Sequence, residues 1–226
     1  MLLSALTSGS MVTIIITLVA GAFLIFCAIP LHEFSHAYVA YKMGDKTAKL
    51  SGQLTLNPLV HIDPVGAVLL LLTGFGWGRP TPVDSRNFKD ERKGIALTAV
   101  AGPLSNLLLG WLLIFLSAVV ANIPGLPYLP IGNALYLFCR ISAQISIYLA
   151  VLNLLPIPPF DGFRVASVFM SQELYYKVMM NQQMISIVFI VLIFSRVLTI
   201  PLSLLADLFI KLFDYISWVP FTVLLG

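Results

Sequence analysis

The sequence predicts an all-α polytopic membrane protein, and three observations carry that expectation. Of 226 residues, 59% are hydrophobic and only 10% are charged, where a soluble domain carries about 25%. The apolar runs are continuous and long enough for helices crossing about 30 Å of hydrocarbon, not alternating as in a membrane barrel. Basic residues gather between the runs: Lys42 to Lys93 and Ile157 to Gln182 together hold ten of the thirteen Lys and Arg.

The first span runs from Met11 to about Tyr41. About 20 apolar residues lead into Leu31-His32-Glu33-Phe34-Ser35-His36. His32 and His36 stand one helical turn apart, so both imidazoles share a face and can hold one metal ion. Glu33 beside them is free to take a proton from water, which is the zinc-hydrolase pattern H-E-x-x-H. A chance match on a soluble surface costs nothing, but here each ionisable group costs at least about 2.5 kcal/mol and calls for a cavity or a partner. Pro30 removes a backbone donor and is expected to kink the helix just before His32.

The connection Lys42–Lys93 follows. Within it Val65–Phe75 is apolar but too short to cross, and reads as a re-entrant or interfacial element. Gly74 to Val83, GFGWGRPTPV, forbids a regular helix. It suits an extended loop or a short open-edged hairpin. Such an edge could pair with an extended segment; the plainer alternative is an interfacial loop anchored by Trp77. His61, between Asn57-Pro58 and Asp63-Pro64, reads first as an interfacial hydrogen-bonding residue, with gate, second-sphere partner and alternative ligand as rivals.

Gly94–Ala121 is the second span. Gly102, Asn106 and Gly110 fall on one face, where small residues and an amide favour close helix packing over direct chemistry. The proline-rich loop Asn122–Gly132 carries no Lys or Arg. Asn133–Leu155 is the third span, stopped by Pro156, Pro158 and Pro159. Asp161 follows at once, the one acidic residue between Glu91 and Glu173. It is either a turn residue or the third oxygen ligand of a His/His site. Gln183 to about Ser195 and Leu202 to about Phe213 read as further helices around Pro201. Cys27 and Cys139 read as small buried hydrophobes.

Three consecutive spans put both basic connections on one side, and the positive-inside rule makes that side cytoplasmic. His32, His36 and Asp161 then fall at the cytoplasmic ends of their spans. From the residues alone, zinc held by His32, His36 and Asp161 leaves one position open, with Glu33 as the general base. No basic stretch precedes the first apolar run, so a cleaved signal peptide is not expected. Nucleic acid is not an expected partner.

These residues resemble the site-2 protease family of intramembrane zinc metalloproteases, in its short bacterial and archaeal branch. The resemblance rests on His32, Glu33 and His36, and on Asn153, Pro156, Asp161 and Gly162 as N-x-x-P-x-x-x-x-D-G. Gly102-Pro103-Leu104-Ser105-Asn106, Asn57 to Pro64 and the Gly-Trp-Gly-Arg-Pro stretch add to it. It covers roughly Phe23 to Arg164. Phe160 stands where many relatives carry Leu, and the PDZ or CBS domains of many relatives are missing.

The resemblance implies one membrane protease domain over 1–226. Its three-helix catalytic core would span about 11–165, with C-terminal helices over about 183–226 and no appended soluble domain. It implies one zinc ion and hydrolysis of a peptide bond within or near a transmembrane segment, as in regulated intramembrane proteolysis. Expected substrates are transmembrane proteins or remnant signal peptides in a bacterial or archaeal cell membrane. Homo-oligomerisation and a membrane regulator stay open. Asn153 is implied as oxyanion donor or substrate-backbone holder, the alternative being an Asn that only bonds neighbouring helices. Gly76, Trp77 and Gly78 are the candidate substrate edge, with His61 and Asn106 as accessory candidates. Rival classes are a membrane metal-ion transporter and a non-catalytic metal-binding membrane protein. One ligand cluster without an internal repeat speaks against the first, and the intact Glu33 against the second.

Overall fold

A computed structural model describes residues 11–73, 76–195 and 197–225. Hydrocarbon offers backbone groups no partner, so the apolar runs close their own hydrogen bonds as helices. Three are long and apolar enough to span: α1 (Met11–Met43), α3 (Glu91–Asn122) and α4 (Pro130–Asn153). Between α1 and α3 lies the ten-residue α2 (Pro64–Thr73). After α4 come α5 (Asp161–Ser167), α6 (Gln172–Met180), α7 (Gln182–Phe194) and α8 (Thr199–Leu225). Helices α6 and α7 meet at 64° and can count together as a fourth span.

Pro30 acts on α1 through a π turn. Leu24–Ala28 is wound wide, and the Ile29 N–H reaches back to the Leu24 carbonyl. Adding a residue to the turn accommodates the ring and the missing donor. The helix then continues to Met43, where Gly44 closes it at φ 117°. A side chain there would suffer twice, since a Cβ would also stand 2.9 Å from the Asn87 carbonyl oxygen.

Asp45, fully buried, ties the end of α1 to the approach to α3. It accepts from the Thr47 N–H and hydroxyl, the Asp84 N–H and the Asn87 amide. Burial pushes its carboxyl up, but these donors outweigh burial and hold it below the usual carboxylate range. Its folded value therefore lies under the unfolded one, near 3.9. Its contribution is present above that pH and fades as pH falls through the lower folded value. Asp45→Ala is expected to cost about 2–3 kcal/mol at pH 7. In denaturant titrations of the detergent-solubilised protein, that difference should shrink below about pH 4.

The expected hairpin is not there among the described residues. Gly76 to Val83 is an extended loop with one isolated antiparallel bridge, Ile62 to Gly78, and the Arg79 N–H donating to the His61 carbonyl oxygen at 2.7 Å. Pro80 and Pro82 lack the donors that further rungs need. Gly74 and Phe75 lie outside the described residues. Glycines bring this loop onto its neighbours: a Cβ on Gly66 would meet the Trp77 carbonyl oxygen at 2.1 Å, and one on Gly78 would meet Ile29 at 2.6 Å.

Helices α3 and α4 form the centre. Gly110 lies against Ile147, which a Cβ would meet at 2.5 Å, and the Ser146 hydroxyl donates to the Asn106 carbonyl oxygen. Leu113, Ile114, Ala143, Ile147 and Val151 make a core that α7 and α8 extend with Phe189, Ile193, Leu202 and Ala206. Helix α8 runs well past the expected Leu202–Phe213. It carries Asp207, Lys211 and Asp214, and Arg140 of α4 donates through both terminal nitrogens to Asp214. Cys139 is buried as expected, whereas Cys27 is exposed because it falls on the outer face of α1.

Candidate metal centre

The C-terminal half of α1 turns His32 and His36 toward α3, where both are buried. Asp161 arrives from the other end of the sequence, as the first residue of α5. The turn that delivers it depends on Gly162, where a Cβ would stand 2.1 Å from the Leu154 carbonyl oxygen. The end of α4 and the start of α5 can approach only without that carbon.

The three side chains converge. Asp161 Oδ2 lies 3.1 Å from His32 Nε2 and 3.1 Å from His36 Nε2, and the two nitrogens are 3.0 Å apart. A tetrahedral zinc with ligands at 2.0–2.1 Å requires donor separations of about 3.3 Å. The triangle's edges come within about 0.3 Å of one face of that tetrahedron. Among the described residues this is the one His/Cys/Asp/Glu group of three arranged to hold a metal ion.

The remaining imidazole nitrogens have partners on α3. His36 Nδ1 lies 2.7 Å from the Thr98 carbonyl oxygen, so it carries the proton and leaves Nε2 with a lone pair. His32 Nδ1 lies 3.1 Å from the Asn106 amide. For His32 to present its Nε2 lone pair, Nδ1–H must donate and the amide must turn its oxygen toward it. That orientation also employs Asn106 Oδ1, which otherwise sits buried without a partner. Asn106→Ala is expected to weaken zinc affinity by about 10–100-fold, the usual effect of removing a group that orients a ligand. Asn106→Asp should restore part of it, as read by competition with a chromophoric chelator.

Gly102 makes the approach possible. A Cβ there would stand 2.3 Å from His36 Nε2 and 2.6 Å from His32 Nε2. Gly102 and Asn106 thus lie against the two imidazoles, where their spacing alone pointed to helix packing.

Glu33 shares a cavity of about 350 Å³ with the three converging groups. The Thr81 N–H donates to Glu33 Oε2 at 2.8 Å, and the Thr81 hydroxyl donates to the Glu33 carbonyl oxygen at 3.1 Å. Gly76, Trp77 and Gly78 line the same cavity, as do Asn153 and Arg164. One N–H of the Asn153 amide is engaged by the Leu149 carbonyl oxygen within α4. His61 stands apart from this cavity. It is fully buried, with Nε2 2.8 Å from the Thr55 carbonyl oxygen and Nδ1 without a partner among the described residues.

Sequence reasoning missed Thr81, Thr98 and Arg164. Thr98 acts through its backbone, which leaves no trace in residue type. Thr81 had a usable signal, because between two prolines its N–H is the sole donor of Pro80-Thr81-Pro82.

Comparison with known proteins finds relatives named as zinc metalloproteases. A family model described as "Peptidase family M50" matches residues 130–195. The chain is 42% identical over 191 residues to "Putative zinc metalloprotease YwhC" of Bacillus subtilis (strain 168), covering 82% of this chain and 87% of that protein. It is 33% identical over 160 residues to "Putative zinc metalloprotease Rip2" of Mycolicibacterium smegmatis, covering 68% of this chain and 57% of that protein. "Zinc metalloprotease MJ0392" of Methanocaldococcus jannaschii is 28% identical over 154 residues, with 68% of this chain and 35% of that protein covered. No solved structure matches the chain.

Proposed function

From the premise that the chain belongs to peptidase family M50, the site-2 proteases, and is a zinc metalloprotease of the membrane, we propose that it cleaves a peptide bond within or near a transmembrane segment of other membrane proteins. Enzyme status sets aside the transporter and the non-catalytic binder. The observation that carries the reading is the triangle of donors from His32, His36 and Asp161, with Glu33 in the same cavity.

His32, His36 and Asp161 hold the zinc ion. When bound, zinc supplies Lewis acidity that brings a water's pKa toward about 7. Glu33 takes the proton of the attacking water through a carboxylate oxygen and returns it to the departing amine nitrogen. The Thr81 N–H occupies Oε2 and so aims the carboxylate. Asn153, at the mouth of the cavity, supplies a hydrogen bond to the substrate's carbonyl oxygen or backbone.

A transmembrane helix hides its peptide bonds in its own hydrogen bonds, so the substrate unwinds locally before attack. The extended backbone of Gly76–Thr81 lines the cavity and is suited to receive that unwound stretch. The positive-inside rule supports a cytoplasmic-side site in a cell membrane, where water and the released fragment exchange easily. Remnant signal peptides and membrane-anchored regulators fit the same requirement.

The test is reconstitution. The purified protein in lipid vesicles, offered a panel of single-span proteins, should cleave at least one within or near its span. Chelation should stop the reaction and added zinc should restore it. Cleavage confined to soluble peptides, with every membrane-inserted candidate intact, would reject the substrate class.

A further inference from the structure

We propose that a trough along α4, leading away from the metal centre, seats the substrate's transmembrane helix and reads one hydrogen-bond-donating residue on it. The inference rests on the protease reading above and adds a specificity determinant to it.

The trough begins at the catalytic cavity. A second cavity of about 450 Å³ lies between α4, α2 and the start of α8, and it shares Leu70, Gly76, Leu149 and Leu152 with the metal-site cavity. Ile145, Ile200 and Leu202 complete its apolar walls. At its far end Gln144 is common to this cavity and to a third, of about 210 Å³, whose lining includes Arg140 and Asp207. Three adjoining cavities therefore follow one face of α4 from Asn153 back to Arg140.

The far end carries polar groups whose partners are not supplied from within. Arg140 is neutralised by Asp214. Asp207 is exposed and makes no ion pair among the described residues, Lys211 four positions on included, although Arg140 lines the same cavity and the Tyr148 phenol lies within reach of its charge. Gln144, near the middle of α4, is also exposed and has no hydrogen bond among the described residues. Gln144 lies midway along a spanning helix and Asp207 lines the same cavity, so the carboxylate and the amide share a depth at which each is costly unless a partner meets it. The Asp207 carboxylate and the Gln144 amide oxygen can both accept from one donor, and the apolar walls call for a helix to carry it. Continuity with the cleavage cavity identifies that helix as the substrate. Arg140 and Gln144 lie 13 and 9 residues before Asn153. At 1.5 Å per residue, the donor belongs roughly 13–20 Å from the cleaved bond, about nine to thirteen residues along a helical substrate.

The test uses the full chain in lipid vesicles and a fluorescent synthetic transmembrane helix of leucine and alanine, with a single lysine moved along it. Binding is measured on zinc-loaded Glu33→Gln protein, and cleavage is measured separately on the wild type to locate the cut bond. The proposal expects binding roughly three- to tenfold tighter when lysine falls in that window, the range for a hydrogen bond between helices in a membrane. Asp207→Asn should flatten the profile. Asp207→Lys should move the preference to a helix carrying aspartate at the same place. A flat wild-type profile overturns the proposal, and so does a preference that survives Asp207→Asn. Disulfide-linked dimers through Gln144→Cys with no lysine preference would give the face to a second copy and overturn it equally. A lysine preference without any wild-type cleavage would leave the docking site standing and count against the protease reading instead.

Discussion

Glu33→Gln is expected to lower kcat by about 10²–10⁴-fold, the range attributed to a positioned acid–base group, while one zinc ion per chain is retained. The substitution isolates the proton-transfer role for a structural reason. Glu33 is held by the Thr81 N–H at Oε2, and a glutamine side-chain oxygen accepts the same bond. Shape and position persist, and what disappears is the ability to take a proton. KM should change little, because no contact with the substrate is removed. Single-turnover cleavage in vesicles, with zinc measured on the same preparation, reads both halves. A variant that cleaves at the wild-type rate would strip Glu33 of its role. One that loses zinc as well would make Glu33 part of the metal's own environment.

Asp161→Asn is expected to weaken zinc affinity by more than about 100-fold, exceeding the loss from removing a group that merely orients a ligand. Asp161 Oδ2 stands 3.1 Å from each imidazole nitrogen. Asparagine keeps the volume but supplies a neutral, poorer donor. The residue opens α5 beside the constrained Gly162, so the backbone has no reason to move. Activity should fall in step with metal content and recover in part with excess zinc. Unchanged zinc stoichiometry and affinity would remove Asp161 from the ligand set.

Much of the architecture is legible in the residues because hydrocarbon enforces it. The three long helices begin and end within a few positions of where hydropathy and proline placed them. The His32/His36/Asp161 group is likewise legible, since three ligand-type side chains at the ends of two spans have little other reason to be there. The failures have distinct physical causes. Alternating glycines in Gly74–Val83 signal extended backbone and allowed either a loop or a hairpin, but Pro80 and Pro82 cannot supply the rungs of the hairpin. The length of α8 was hidden because Asp207, Lys211 and Asp214 dilute its hydropathy, while Arg140 compensates one of them from a distance in sequence that no local pattern reveals. Gly102 was assigned to packing because spacing cannot distinguish a glycine pressed against a neighbouring helix from one pressed against two imidazoles.

The bond between Thr81 and Glu33 joins two parts of the protein that would otherwise be independent. The loop that lines the cavity and the Glu33 carboxylate are one mechanical unit, linked through a threonine whose flanking prolines stiffen it. A displacement of the loop would therefore be carried directly to the Glu33 carboxylate.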